Sequence, residues 1–163
     1  MVACVDVNVA LSLPVPKNDG ACAHLTGLEI PCVPLSATSG GRPDDWNSIP
    51  GARGCTPQAC SFRNEMAELR RLGVKNVFGV STQDASYQAE AKERLHLPYQ
   101  LLSDGRLEFA KALKLPTLEW KNKTLIKRLA LATQNGTIVK VWYPVFPPDT
   151  NARDVVDWLA MKN

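Results

Sequence analysis

No apolar run in this sequence approaches the ~20 residues that a membrane-spanning helix needs, so no segment is a candidate for one. Charge of one sign is also scarce: the net charge is +3 over 163 residues, too small to argue for nucleic acid or an acidic membrane as partner. The opening stretch MVACVDVNVALSLPVP lacks a basic region, and Asp6 interrupts its apolar positions; it is not read as a secretory signal. The five cysteines are an odd number, which argues against a fully paired secreted framework. A reducing compartment, most simply the cytosol, is the expectation. Cys-x-x-Cys is absent, and so is a second tight pair of metal ligands. The Cys, His residues outside the one close cysteine pair are Cys4, Cys22, Cys32, His24 and His96, and only Cys22 and His24 are neighbours. That is a poor match to zinc spacing. Internal repeats and low-complexity tracts are absent as well.

What is present is an ordinary globular balance, 45% hydrophobic and 21% charged, in a length that suits one domain with a sizeable core. Residues 1–27, with Pro14, Pro16 and KNDG, read as an N-terminal arm, and residues 28–163 as the folded domain. LEIPCVPL (28–35) is strand-like, but Pro31 and Pro34 demote it to an edge or an extended arm. Residues 36–54 have the composition of a long loop. From Thr56 the pattern sharpens. TPQACSFRNEMAELRRLG reads as one helix, with Thr56 as N-cap, Pro57 as first helical residue and Gly73 as C-cap. Phe62, Met66, Leu69 and Leu72 recur at helical spacing and give it a core face. A buried-type strand follows at 76–82, then a helix over 84–96 capped by Asp84. Next come a strand over 99–104, a short helix over 107–115 and a hairpin of TLIKRLALAT with TIVKVWYP. Asn135-Gly136 is the turn of that hairpin, since both residues tolerate positive φ. A terminal helix covers 151–162. This order predicts an α/β sandwich with a mixed sheet flanked by helices.

The close pair is Cys55 and Cys60, around Thr56-Pro57. Free cysteines are often small buried hydrophobes, and Cys4, Cys22 and Cys32 are read that way. Cys60 remains open to that reading, since it lies near the helix's apolar face. Cys55 has a different address, at the mouth of a helix. Unpaired N–H groups and the helix dipole favour negative charge there, and a thiol so placed ionises near neutral pH to the nucleophilic thiolate. Arg53 stands two residues upstream. Five helical residues put the two Cα atoms roughly 8 Å apart and about 140° around the axis, whereas a disulfide needs Cα atoms nearer than ~7 Å. The two therefore meet only if the first turn or so of the helix unwinds.

GCTPQACSFRNEMAELRRLGVKNVFGVSTQD (54–84) resembles the peroxiredoxins, and most closely their bacterioferritin-comigratory (Q-type) branch, which carries Ala-Cys-Ser-Phe-Arg in the helix that opens with a cysteine. The resemblance runs from about Ile49 to the C-terminus and includes LLSD (101–104) and KRLALATQNGTIVKVWYP (127–144). It implies a thioredoxin-like fold and a thiol peroxidase that reduces hydrogen peroxide and organic hydroperoxides. Cys55 falls at the peroxidatic cysteine, Cys60 at the intrahelical resolving cysteine, and Arg128 at the arginine that holds the thiolate and polarises the peroxide. It implies a Cys55–Cys60 disulfide after a Cys55 sulfenic acid, recycling by thioredoxin or a similar reductant, and no metal or organic cofactor. A monomer or weak dimer is expected.

The chain departs from the family in one place. The family has an apolar strand just before the catalytic loop, ending in Pro and followed by a Thr. Residues 36–54 contain no such strand, and Thr38 is the nearest threonine upstream. The loss of a central strand leaves backbone groups unpaired. A second expectation therefore stands beside the first: a degenerate, non-catalytic redoxin acting as a redox-sensitive binding domain.

Overall fold

The computed structural model describes residues 17–36, 52–120 and 122–162, with residues 52–55 described through their backbone only. The order is α1 (Ala52–Asn64), α2 (Met66–Arg71), β1 (Phe78–Ser81), α3 (Ala85–Arg94), β2 (Gln100–Ser103), α4 (Glu108–Ala112), β3 (Thr117–Trp120), β4 (Lys123–Ile126), β5 (Ala130–Gln134), β6 (Thr137–Trp142), a 3-10 turn (Pro148–Thr150) and α5 (Asn151–Ala160). The mixed α/β class is as expected. No helix among the described residues is long and apolar enough to cross a membrane.

Two apolar layers sandwich the strands. On one side, Ala59, Phe62, Met66 and Leu69 of α1 and α2 meet Val77, Tyr99 and Ala130, together with Ala152, Val155 and Val156 of α5. On the other, Phe109, Ala110 and Leu113 meet Val80, Leu129, Leu131 and Ile138. The alternation is that of strands: Leu129 and Leu131 point into one layer and Ala130 into the other. Residues 17–27 contribute to the second layer. Leu25 is fully buried and Cys22 nearly so.

β1 and β2 pair in parallel, with Val80 opposite Leu102. β5 and β6 pair antiparallel, with Leu131 opposite Val141. Among the described residues no rung joins the two pairs, although both border the same two apolar layers. LEIPCVPL runs as an extended arm, as its prolines predict. It bridges β6 at Glu29–Thr137 and β2 at Ser36–Ser103, so it ties the outer edges of the two pairs together. Ile30, Val33 and Leu35 pack on the second layer along the way. The expected missing strand and Thr38 lie outside the described residues.

Three readings of local structure need correction. The helix expected from Thr56 starts at Ala52, so Thr56 is not its N-cap and Pro57 lies inside it. A proline removes one donor and crowds the carbonyl four residues back; here that is Arg53, in the first turn, where the ladder has little to lose. The same helix then breaks at Glu65 (φ −89°, ψ 5°) before α2. Gly73 does close α2, at φ +89°, with Gly73 N–H donating to the Arg70 carbonyl and Val74 N–H to the Leu69 carbonyl, a Schellman closure. Third, TLIKRLALAT is not one hairpin arm. Lys123–Ile126 turns back on Thr117–Trp120, and only residues from Ala130 pair with β6. Leu125 goes instead to Tyr87 and Ala91 of α3, a long-range contact that outweighs the continuous strand pattern. The Asn135-Gly136 turn is as predicted, both residues at positive φ. So is the Asp84 cap, which accepts from Tyr87 N–H at 2.8 Å.

Candidate active site

Cys55 is the fourth residue of α1, within its first turn rather than ahead of its cap. That turn contains no acidic residue, so no carboxylate competes for the positive end of the helix dipole. Gly54 and Pro57 flank the cysteine. Both are poor helix formers, by about 1 and 3 kcal/mol against alanine in a helix interior. Cys60 lies farther along the same helix and is half-buried.

The helix is pinned just before Cys60. Gln58, fully buried, donates from Nε2 to Asn151 Oδ1 at 2.9 Å. Tyr99 donates its hydroxyl to the Ala59 carbonyl at 2.8 Å, on the peptide that leads into Cys60. Ser61 Oγ donates to the Gln58 carbonyl at 2.8 Å. Sequence reasoning missed Gln58, Asn151 and Tyr99. The only available signal was a glutamine on the apolar side of a helix, and its partner lies 93 residues away.

Arg128 stands two residues before β5 and is 8% exposed; it is no ordinary edge arginine. Leu129 and Leu131 enter one apolar layer and Ala130 the other. The Arg128 carbonyl accepts from Val145 N–H at 3.4 Å. From there the chain leads into the 3-10 turn, which packs on α1, and into Asn151, which holds Gln58. The Arg128 backbone is thus connected, through Val145 and the 3-10 turn, to the start of α5 and to α1. Burial of the guanidinium charge costs several kcal/mol unless acceptors or an anion meet it.

The other cysteines have other surroundings. Burial pushes the Cys22 thiol up to about 12, with Asp19 adding to the effect and Lys127 opposing it. Its reading as a small core residue holds. Cys32 is exposed, contrary to that reading, because the extended arm turns it away from the layer that Ile30 and Val33 enter. Cys4 lies outside the described residues. His24 contacts the Leu113 carbonyl through Nε2 at 2.9 Å, and no group of three His, Cys, Asp or Glu side chains among the described residues is arranged to hold a metal.

The redoxin family model matches residues 33–157. Among curated proteins, the chloroplastic peroxiredoxin Q of Suaeda salsa is 28% identical over 106 residues, which is 65% of this chain and 49% of that one. The match spans about half the length of this relative and of the chloroplastic peroxiredoxin Q of Gentiana triflora. Among solved structures, peroxidoxin BcpB of Mycobacterium tuberculosis superposes with a TM-score of 0.61 at 25% identity, over 68% of this chain and 71% of that one. Reduced Prx3 of Vibrio vulnificus in complex with H2O2 gives 0.66 at 20% identity, over 84% and 96%, a likeness of fold. The chain belongs to the redoxin family, in the Q-type, bacterioferritin-comigratory branch of the peroxiredoxins, with the thioredoxin-like fold.

Proposed function

We propose that this protein is a thiol peroxidase acting on hydrogen peroxide and organic hydroperoxides. The observation that carries the reading is Cys55 in the first, acid-free turn of α1 with Cys60 later in the same helix. The Cys55 thiolate attacks one peroxide oxygen and the O–O bond breaks. The alcohol or water leaves with a proton, and Cys55 becomes a sulfenic acid. Arg128 supplies guanidinium donors for the thiolate and the developing oxyanion. The turn around Gly54 and Pro57 then unwinds, and Cys60 attacks the Cys55 sulfur to give the disulfide. A dithiol reductant such as thioredoxin restores both thiols by exchange. The cycle needs only one chain, as a monomer or weak dimer, in a reducing compartment such as the cytosol.

A second reading rests on a separate observation: β1 and β5 border the same apolar layers without a rung between them among the described residues. It makes the chain a redox-sensitive binding domain without turnover. One experiment separates the two. Reduced protein is treated with one equivalent of hydrogen peroxide, digested, and searched for a Cys55–Cys60 disulfide by mass spectrometry. Its formation within seconds supports the peroxidase. Slow oxidation spread over all five cysteines supports the second reading.

A further inference from the structure

Gln88 of α3 is buried, 3% exposed, and its amide is engaged at one end only. Nε2 donates to Ser81 Oγ at 2.7 Å and to the Leu102 carbonyl at 2.9 Å, with the Ser81 and Gln83 carbonyls each at 3.4 Å. Three carbonyls around one atom fix the orientation of the amide, since a turned amide would set oxygen against oxygen. Oε1 therefore stays on the other side, buried and without a hydrogen-bond partner among the described residues. An acceptor left in that state costs stability unless a donor reaches it.

Gln88 lines a cavity of about 60 Å³. Small residues create it: Ala59 of α1, Gly79 of β1 and Ala91 of α3 all border the space, and longer side chains there would fill it. Thr56, next to Cys55 in the chain, and Ser81, the last residue of β1, border it as well. The remaining wall is mostly aliphatic, and Arg94, which also touches it, is engaged by Glu90 at 2.6 Å. The cavity thus offers one acceptor in an apolar setting. Water is a poor match, because a buried water uses two to four polar partners. A cavity of about 150 Å³ accepts benzene, so this one suits a molecule of roughly two to four heavy atoms.

We propose that this cavity is a binding site for a short aliphatic alcohol, whose hydroxyl donates to Gln88 Oε1 while its alkyl part rests on Ala59, Gly79 and Ala91. Occupation of the site also has a consequence for the helix mouth, and this second half rests on the peroxidase reading. Thr56 belongs to the turn that unwinds in that cycle, whereas Ala59 lies beyond the Gln58 anchor and the other walls lie on β1, α3 and the chain that follows them. A bound alcohol loses Thr56 when the turn unwinds. It therefore favours the folded helix and delays the Cys55–Cys60 disulfide. Alcohols of this size are the products of the shortest alkyl hydroperoxides, which makes the cycle sensitive to its own product.

The test titrates reduced, isotope-labelled protein with ethanol and, separately, with acetonitrile, a probe of equal heavy-atom count that has no O–H to donate. In amide NMR spectra, ethanol is expected to shift the Gln88 side-chain signals and the Gly79 and Ala91 backbone signals to saturation, in the roughly millimolar range that so few atoms allow. Acetonitrile is expected to bind about tenfold more weakly or worse. Ala91→Leu, which fills the space, should abolish the saturable shifts; where that variant does not fold, the two probes decide without it. Shifts that never saturate with ethanol, an equal response to both probes, or saturation that persists in folded Ala91→Leu protein each overturn the site. In the native chain, ethanol at three times its measured Kd is expected to slow disulfide formation after a peroxide pulse by up to about fourfold, while acetonitrile at that concentration leaves it unchanged. An unchanged rate with ethanol bound overturns the coupling. If no disulfide forms even without ethanol, the peroxidase reading fails, while the titration still judges the site.

Discussion

Gln58 Nε2 and Asn151 Oδ1 form a buried hydrogen bond of 2.9 Å that fastens α1 to the first residue of α5. The turn that unwinds in the proposed peroxidase cycle lies on the N-terminal side of that bond, and Cys60 lies just beyond it. Asn151→Ala takes this partner from a fully buried amide, at a cost of about 1–3 kcal/mol. Urea denaturation is expected to show that loss. The Cys55–Cys60 disulfide should also form faster after a peroxide pulse, because the unwinding turn loses its stop. A variant that is destabilised without faster disulfide formation would separate the anchor from the cycle.

Cys55→Ser is expected to abolish peroxide consumption in the presence of thioredoxin. Cys60→Ser should still react once with peroxide and then accumulate sulfenic and sulfinic acid at Cys55, visible as mass increments of one and two oxygens. Full turnover in the Cys55 variant would sink the assignment.

Arg128 distinguishes function from stability. A buried charge is often replaced by an apolar side chain of like volume without loss of stability. Arg128→Met is therefore expected to melt at or above the native temperature, while the rate of Cys55 oxidation falls by roughly tenfold to a hundredfold, the worth of a charge-assisted hydrogen bond. Calorimetry and stopped-flow fluorescence read the two effects separately.

Thiol labelling should follow environment. At pH 8, iodoacetamide is expected to modify exposed Cys32 readily and to leave Cys22 untouched, since burial has pushed the Cys22 thiol up to about 12. Peptide mapping of the time course checks this. Equal rates would mean that the layer containing Leu25 opens on the time scale of labelling.

Asp84 ties acid stability to α3. Its carboxyl is held below the usual 3.8, first by the Ser86 hydroxyl and then by the Tyr87 N–H. A group whose folded pKa is depressed adds stability above its unfolded value and loses it as pH falls through the folded one. Asp84→Ala is expected to cost about 1 kcal/mol near neutrality, the worth of a helix cap. The difference from the native protein should vanish as pH falls below 3.8, read from urea midpoints against pH.

The sequence by itself determined the features that are local. The Asp84 cap, the Gly73 closure, the Asn135-Gly136 turn and the proline-broken arm each follow from what a few adjacent residues can do with their own backbone. Cys55 and Cys60 were singled out by their spacing within one helix, and Arg128, far along the chain, only through the family resemblance; their catalytic roles remain part of the proposed function. What only the tertiary structure decided are contacts between residues far apart in the chain. The burial of Gln58 depends on Asn151, and the position of Leu125 depends on Tyr87. Asp104 reads as a turn residue, yet it is buried and its carboxylate accepts from Phe109 N–H at 3.0 Å and Ala110 N–H at 2.8 Å to cap α4. Periodicity reports which face of an element is apolar, but not which partner that face meets; the closing of long loops decides that, and no window of adjacent residues contains it.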